Sequence, residues 1–251
     1  MLKEYYCIYI IIYCINYFIM KQYPRFRGPS LILLGIVHIL LFAAGLVTAA
    51  VLRHGAPYVN PFANAETVRA FFQQNPAAVR VSNFFLFASA IPLGVSAVTM
   101  VNRLRFLGVK AAGTNIALFG GLTAANALIF SGLFGWVLSV PDVAASVPLV
   151  RAITFLSFLF GGTAYAAGFG LLAAGVSITS YFSRLLPRWL VAVGMVVAVA
   201  GEFSTFSLIA YPANFLLPIT RYLGFIWLIC AAVKLTGHNR PAQIANAAEA
   251  A

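Results

Sequence analysis

Apolar residues in this chain run in long blocks, and polar residues fall in short gaps between them. A helix that crosses a bilayer needs about 20 mostly apolar residues. Six stretches reach that length: roughly 29–52, 82–101, 111–140, 149–182, 187–210 and 213–235. The third and fourth exceed the minimum, which implies tilt or extension beyond the hydrocarbon. Together they predict an all-α, polytopic transmembrane bundle of six core helices.

Residues 1–23, "MLKEYYCIYIIIYCINYFIMKQY", follow a different pattern. The apolar run 5–20 is short for a span. It lacks a strongly basic leader and a small-residue cleavage site, which argues against a cleaved signal peptide. Its Ile, Tyr, Lys and Asn are typical of AT-rich codons, whereas the Ala, Gly, Val, Leu and Arg of the remainder are typical of GC-rich ones. A seventh helix, an interfacial segment and an early start are its three readings. The chain thus divides into this segment, a six-helix domain over 24–236 and a tail over 237–251.

The gaps between helices carry an orientation signal. Lys21, Arg25 and Arg27 precede the first helix, and Arg103, Arg105 and Lys110 lie between the second and third. Arg184 and Arg188 lie between the fourth and fifth, and Lys234 and Arg240 close the sixth. The alternate gaps "VPDVAASVP" and "YPAN" hold no cation, and the long gap 53–81 spreads Arg53, Arg69 and Arg80 over its length. Cytoplasmic loops collect Lys and Arg. The alternation therefore predicts that both ends of the six-helix core are cytoplasmic. In the long gap, Asn64 is placed to cap a short helix with Val68, Phe71 and Phe72 on one side. That helix is expected to lie on the outer leaflet; the alternative is a lid over an external cavity.

Composition narrows the function. Charged residues make up 8% of the chain, against about 25% in soluble domains, so the bilayer is the partner the sequence demands. The net charge of +11 would suggest nucleic acid in a soluble protein, but the cations sit at helix ends. No loop carries a basic patch interleaved with aromatics, so no nucleic-acid partner is expected. Cys7, Cys14 and Cys230 form no C-x-x-C pair, which leaves no zinc site or disulfide framework to infer. With His38 the one histidine placed mid-helix, a multi-haem bundle is not expected. No G-x-S-x-G, H-E-x-x-H or P-loop motif is present. No catalytic residue, metal or cofactor is implied, and the enzymatic reading has no motif behind it.

Four polar residues within or beside the helices are candidate functional positions. Glu202 sits in "VVAVAGEFSTFSLIAYP", where a carboxylate in hydrocarbon costs roughly 2.5–3.5 kcal/mol on insertion scales. It lies nine residues before Tyr211, about 13 Å below the helix end at 1.5 Å per residue. Arg221 lies nine residues after Pro212, at the same depth on the returning helix. Matched depth on adjacent antiparallel helices predicts a Glu202–Arg221 ion pair. Such a pair either fixes helix rotation or serves an ion, proton or anion in a cavity. His38 is either a proton relay or a neutral ring donating to a carbonyl across a helix contact. Arg151 faces the same external region or snorkels to the interface. Asn115, Asn126, Thr114 and Thr123 are candidates for polar contacts between helices. The Gly- and Ala-rich run "FLFGGTAYAAGFGLLAAGVS" marks the fourth helix as the central packing element.

The stretches "YFSRLLPRWLVAVGMVVAVAG" and "LLPITRYLGFIWLICAAVKL" carry Pro187-Arg188-Trp189-Leu190 at a helix start and Gly224, Trp227 and Leu228 in the last helix. In these the chain, over residues 27–235, resembles a family of uncharacterised bacterial multi-pass inner-membrane proteins, a domain of unknown function. The resemblance implies an inner-membrane location and assigns no residue a role. Two functions remain in view. One is a small transporter or permease-like protein built on the Glu202/Arg221 locus. The other is a membrane scaffold or regulatory subunit in which the pair is structural. A homo-oligomer or a membrane partner is compatible with both.

Overall fold

The computed structural model describes residue 26, residues 28–53 and residues 57–237. The segment 1–23 and nearly all of the 237–251 tail lie outside the described residues, as do their proposed structural roles. Among the described residues six helices are long and apolar enough to cross a membrane: α1 (Leu31–Leu52), α3 (Pro76–Phe106), α4 (Gly113–Val137), α6 (Val147–Phe182), α7 (Arg188–Leu208) and α8 (Tyr211–Gly237). Two short helices, α2 (Ala65–Gln74) and α5 (Pro141–Ala145), lie in the connections. Each spanning helix packs on the next in sequence, and α8 returns to α1, which closes the bundle. The start of α1 and the end of α8 share one side, called here the terminal side. The connections holding α2, α5 and 209–215 form the far side.

The spans match the apolar blocks, with one instructive difference. α3 extends beyond its block at both ends and includes Arg80, Arg103 and Arg105. These cations do not stop the helix because each finds a partner. Arg80 Nε donates to Ser139 Oγ at 3.3 Å. Arg105 donates to Asn115 Oδ1 at 2.6 Å. Arg103, buried at 7% exposure, donates to the carbonyls of Leu235 and Thr236. There it satisfies orphan acceptors at the end of α8 and complements the negative end of its dipole.

Close backbone approach holds the centre. α4, α6 and α7 meet through glycines, so α6 is a central packing helix. A Cβ on Gly168 would come 2.6 Å from the backbone nitrogen of Ala124, and one on Gly175 would come 2.6 Å from that of Ala117. Small residues permit this contact where apolar surface alone provides no drive between helices in lipid. Around the seam, Tyr165, Phe169 and Trp227 are almost fully buried, with Phe169 edge-on to Trp227. Polar bonds cross the same seam reciprocally: Ser131 Oγ donates to Ser157 O at 2.8 Å, and Ser157 Oγ donates to Ser131 O at 3.0 Å.

The far side departs from the expectation. α2 is capped by Asn64, whose side chain accepts from Glu66 N at 2.9 Å. Val68, Phe71 and Phe72 are buried, but against Val59, Val79, Leu138, Ala144 and Val150. The apolar side of α2 is therefore consumed by the bundle end, and the helix caps it. The sequence reading of an interfacial helix on the outer leaflet is corrected accordingly.

If the α4–α6 seam depends on backbone approach, Gly168→Val should force the two helices apart. We expect a loss of about 1–3 kcal/mol or more in a detergent unfolding titration, the range for overpacking. Gly237→Val, with open space around it, should leave the same titration unchanged.

Candidate functional site

Two of the spanning helices widen into a single π turn, α6 at Phe160–Ala164 and α8 at Ile219–Leu223. Such turns interrupt the regular hydrogen-bond ladder and are frequent at functional sites. Local sequence accounts for both. Gly161 and Gly162 adapt to the widened turn of α6, and Pro218 removes a donor just before the turn of α8. The two turns face each other: Arg221, from one, donates through Nη2 to the carbonyl of Gly161 in the other.

Arg221 is held by more than that bond. Its guanidinium carbon lies 4.9 Å from the centroid of the Tyr165 ring and 5.2 Å from that of Phe42. Cation–π contacts contribute about 0.5–2 kcal/mol each, and a hydrogen bond to a charged group about 1.5–3 kcal/mol. Together they offset the roughly 2.5–3.5 kcal/mol cost of inserting an Arg. They do not neutralise its charge.

The predicted Glu202–Arg221 pair does not form. Among the described residues the ion pair is Glu66–Arg69 at 2.8 Å, in α2. Rotation about the helix axis separates the two side chains. Gly201 packs against α6, with its Cα against the backbone of Ala166 and Gly170. Glu202, one residue and about 100° further round, therefore turns outward and is exposed. Its helix neighbours Val199 and Phe203 line an apolar groove on the outer surface, with Leu216 and Ile219 of α8. Arg221 turns inward instead.

Inward of Arg221 lies a cavity of about 390 Å³, within the usual range for small-molecule sites. It extends to the far side, where Tyr58, Pro61 and Phe72 of the capping segment form its roof. Its walls are mainly apolar, with Leu86, Leu138, Phe158 and Leu217 among them. Hydroxyl and amide groups punctuate them: Asn83, Ser131, Thr154, Ser157 and Asn214. Thr154 Oγ1, Asn214 Oδ1 and Arg221 Nε are buried without a hydrogen-bond partner. Among the described residues no carboxylate lines the cavity.

The other sequence candidates stand apart from this lining. Arg151 neither enters the cavity nor snorkels. It donates to Ala63 O at 2.6 Å and stacks on Phe155, which ties the roof segment to α6. Phe62 reinforces the tie, edge-on to Phe155, Phe158 and Tyr211. His38 is fully buried, and its Nδ1 is 2.8 Å from Ser89 O. A carbonyl only accepts, so Nδ1 carries the proton. Pro92 lacks the N–H that would bond Ala88 O, the carbonyl next to Ser89, and Ser89 O has a second lone pair with which to accept from His38. The ring also packs edge-on to Phe225, which in turn packs on Phe42, so His38 supports the wall behind Arg221. Asn83, Asn214, Thr154 and the Ser131–Ser157 pair were not singled out as site residues from the sequence. Their signal was polar residues in the far-side halves of four different spans, and it becomes visible only once the helices are brought together.

No protein-family model, no curated protein and no solved structure matches the chain. The fold and site define a multi-pass helical membrane protein with a capped, cationic cavity.

A double-mutant cycle tests the separation of the two charges. Glu202→Gln and Arg221→Gln should combine additively in unfolding free energy, within about 0.5 kcal/mol. Glu202→Gln alone should shift stability by no more than about 0.5 kcal/mol, as exposed substitutions do. A coupling of about 1 kcal/mol or more would put the side chains in contact.

Proposed function

We propose that this is a permease-like membrane protein whose far-side cavity receives a small organic anion, with Arg221 as its anchor. The observation that carries the reading is a guanidinium lining a cavity in which no carboxylate answers it. The mainly apolar walls suit an anion with a hydrocarbon or aromatic body. The scattered hydroxyls and amides suit its polar end, since small-molecule sites combine apolar lining with a few placed polar groups. Arg is the residue suited to planar carboxylate and phosphate groups.

A second reading has its own support. The Arg221–Gly161 bond joins two π turns, so Arg221 also fits a structural peg in a scaffold or regulatory subunit. The two readings separate in a ligand-dependent melting experiment on the purified full chain. With benzoate, butyrate and neutral benzamide as probes, the carboxylates should raise the melting temperature and benzamide should not. At one hundred times the dissociation constant, the stabilisation is about 2.7 kcal/mol. Arg221→Gln should abolish the response, and Glu202→Gln should retain it. If the carboxylates stabilise neither protein, or both equally, the anion reading fails and the peg remains.

The terminal side is, on this reading, cytoplasmic. Arg103, Arg105, Lys110, Arg184, Arg188 and Lys234 gather there, as the positive-inside tendency requires. The resemblance to the uncharacterised bacterial family supports the inner membrane as its location. A green fluorescent protein fused to the C-terminus should fluoresce in a bacterial host, while alkaline phosphatase fused at the same point should stay inactive. The reverse result would invert the topology and place the cavity mouth in the cytoplasm.

A further inference from the structure

The outward side of α4 carries a polar group that the bundle leaves unanswered. Asn126 is exposed and stands near the middle of α4 (Gly113–Val137), about 20 Å from one end and about 16 Å from the other at 1.5 Å per residue. Phe119, Leu122, Phe130 and Leu133, spaced three or four residues apart around it, are exposed at 40–63%. They form one continuous outward stripe with the amide at its centre. The opposite side of α4 is spent inside the molecule, where Gly120, Gly121 and Gly132 approach α3 and α6.

The chain elsewhere shows how an asparagine in or beside a helix satisfies its amide. Asn75 and Asn83 donate back to the carbonyl four residues earlier, Phe71 O and Val79 O. Asn115 accepts from Arg105, and Asn64 caps α2. Asn126 makes none of these bonds and has no hydrogen-bond partner among the described residues. Hydrocarbon offers a carboxamide neither donor nor acceptor, so a partner must come from another helix.

We infer that the Phe119–Leu122–Asn126–Phe130–Leu133 face of α4 is the interface with a second copy of this chain, locked by Asn126 amides paired across a two-fold axis. The choice of occupant follows from self-complementarity. A carboxamide is donor and acceptor at once, so two identical faces related by a two-fold axis satisfy each other with two reciprocal bonds. The same residue type at a central seam position specifies pairing and register in helical dimers. In a closed two-fold contact each residue meets the same patch on its mate, and the aromatic and aliphatic side chains above and below Asn126 interleave. The outward α7 face could not be used this way. It would bring two Glu202 carboxylates together, and like charges in low dielectric repel.

The test is the oligomeric state of the full chain in liposomes, counted by single-molecule photobleaching over a range of protein-to-lipid ratios. The wild type should show a dimer population that grows with protein density. Asn126→Leu should weaken the association by roughly tenfold, since interhelical amide bonds in membranes carry about that much. Asn126→Gln, which keeps both donor and acceptor, should retain the dimer. Ile226→Ala, on an exposed site of α8, should change nothing. The Asn126→Leu protein should melt at the wild-type temperature under monomeric conditions, because the amide makes no bond within the chain. A wild type that stays monomeric at every ratio would overturn the inference, and the face would belong to lipid or to a different protein. A dimer that survives Asn126→Leu unchanged would overturn it equally.

Discussion

Nothing in hydrocarbon can hydrogen-bond, so every polar group carried into the bilayer must find its partner within protein or beside water. The architecture of this bundle follows from how its polar groups meet that demand. Ser131 and Ser157 answer each other across the α4–α6 seam. His38 answers the Ser89 carbonyl across the α1–α3 contact. Arg103 answers the open carbonyls at the end of α8. Arg221 answers one carbonyl of a π turn and two aromatic rings, yet its positive charge persists. Several buried polar atoms do not complete the pattern, and two residues are informative for where they point. Arg221 faces a cavity, and Asn126 faces outward.

The number, order and approximate length of the spans were legible in the sequence, because a 20-residue apolar block has no soluble alternative in so uncharged a chain. Rise per residue led to the expectation of Glu202 and Arg221 at one level. Rotation was not legible. A change of one residue turns a side chain by about 100°, and the packing of Gly201 on α6 decides which way the α7 turn faces. A sequence carries that decision only in the pattern of small residues on the neighbouring helix, and "FGGTAYAAGFG" is small on several sides at once. The π turns add a further offset: each inserts an extra residue into a turn and re-aims everything after it. Arg221 lies within such a turn, so no regular helical projection would have aimed it at Gly161.

The capping helix was misplaced for a related reason. An amphipathic helix beside a membrane can bury its apolar side in lipid headgroups or in protein, and its own periodicity is the same in both cases. What settles the choice is a receptor. Val79 at the start of α3, Leu138 at the end of α4, Ala144 in α5 and Val150 at the start of α6 jointly form one, and each belongs to a segment read separately as a span end or a loop. The same separation hid the cavity. Its polar lining comes from α3, α4, α6 and α8 in ones and twos, a number that in any single helix reads as ordinary packing.

The arrangement of far-side cations sharpens the functional argument. Arg80 is engaged by Ser139 and lies 6.0 Å from the Trp136 ring. Arg151 is engaged by the roof segment, and Arg53 lies over Tyr58. A carbonyl, a hydroxyl and aromatic rings bind Arg151 and Arg80 without cancelling their charge. Of the carboxylates on that side, Glu66 is committed to Arg69, Asp142 of α5 is exposed and does not line the cavity, and Glu202 points away from the bundle. Within the cavity lining the charged side chain is therefore Arg221, and low-dielectric walls focus its field. On the anion proposal, such a field would favour anions over cations before any contact is made. On that proposal the mainly apolar walls do not make the site a simple hydrocarbon pocket: apolar surface would govern the size and body of what fits, and the guanidinium of Arg221 its charge.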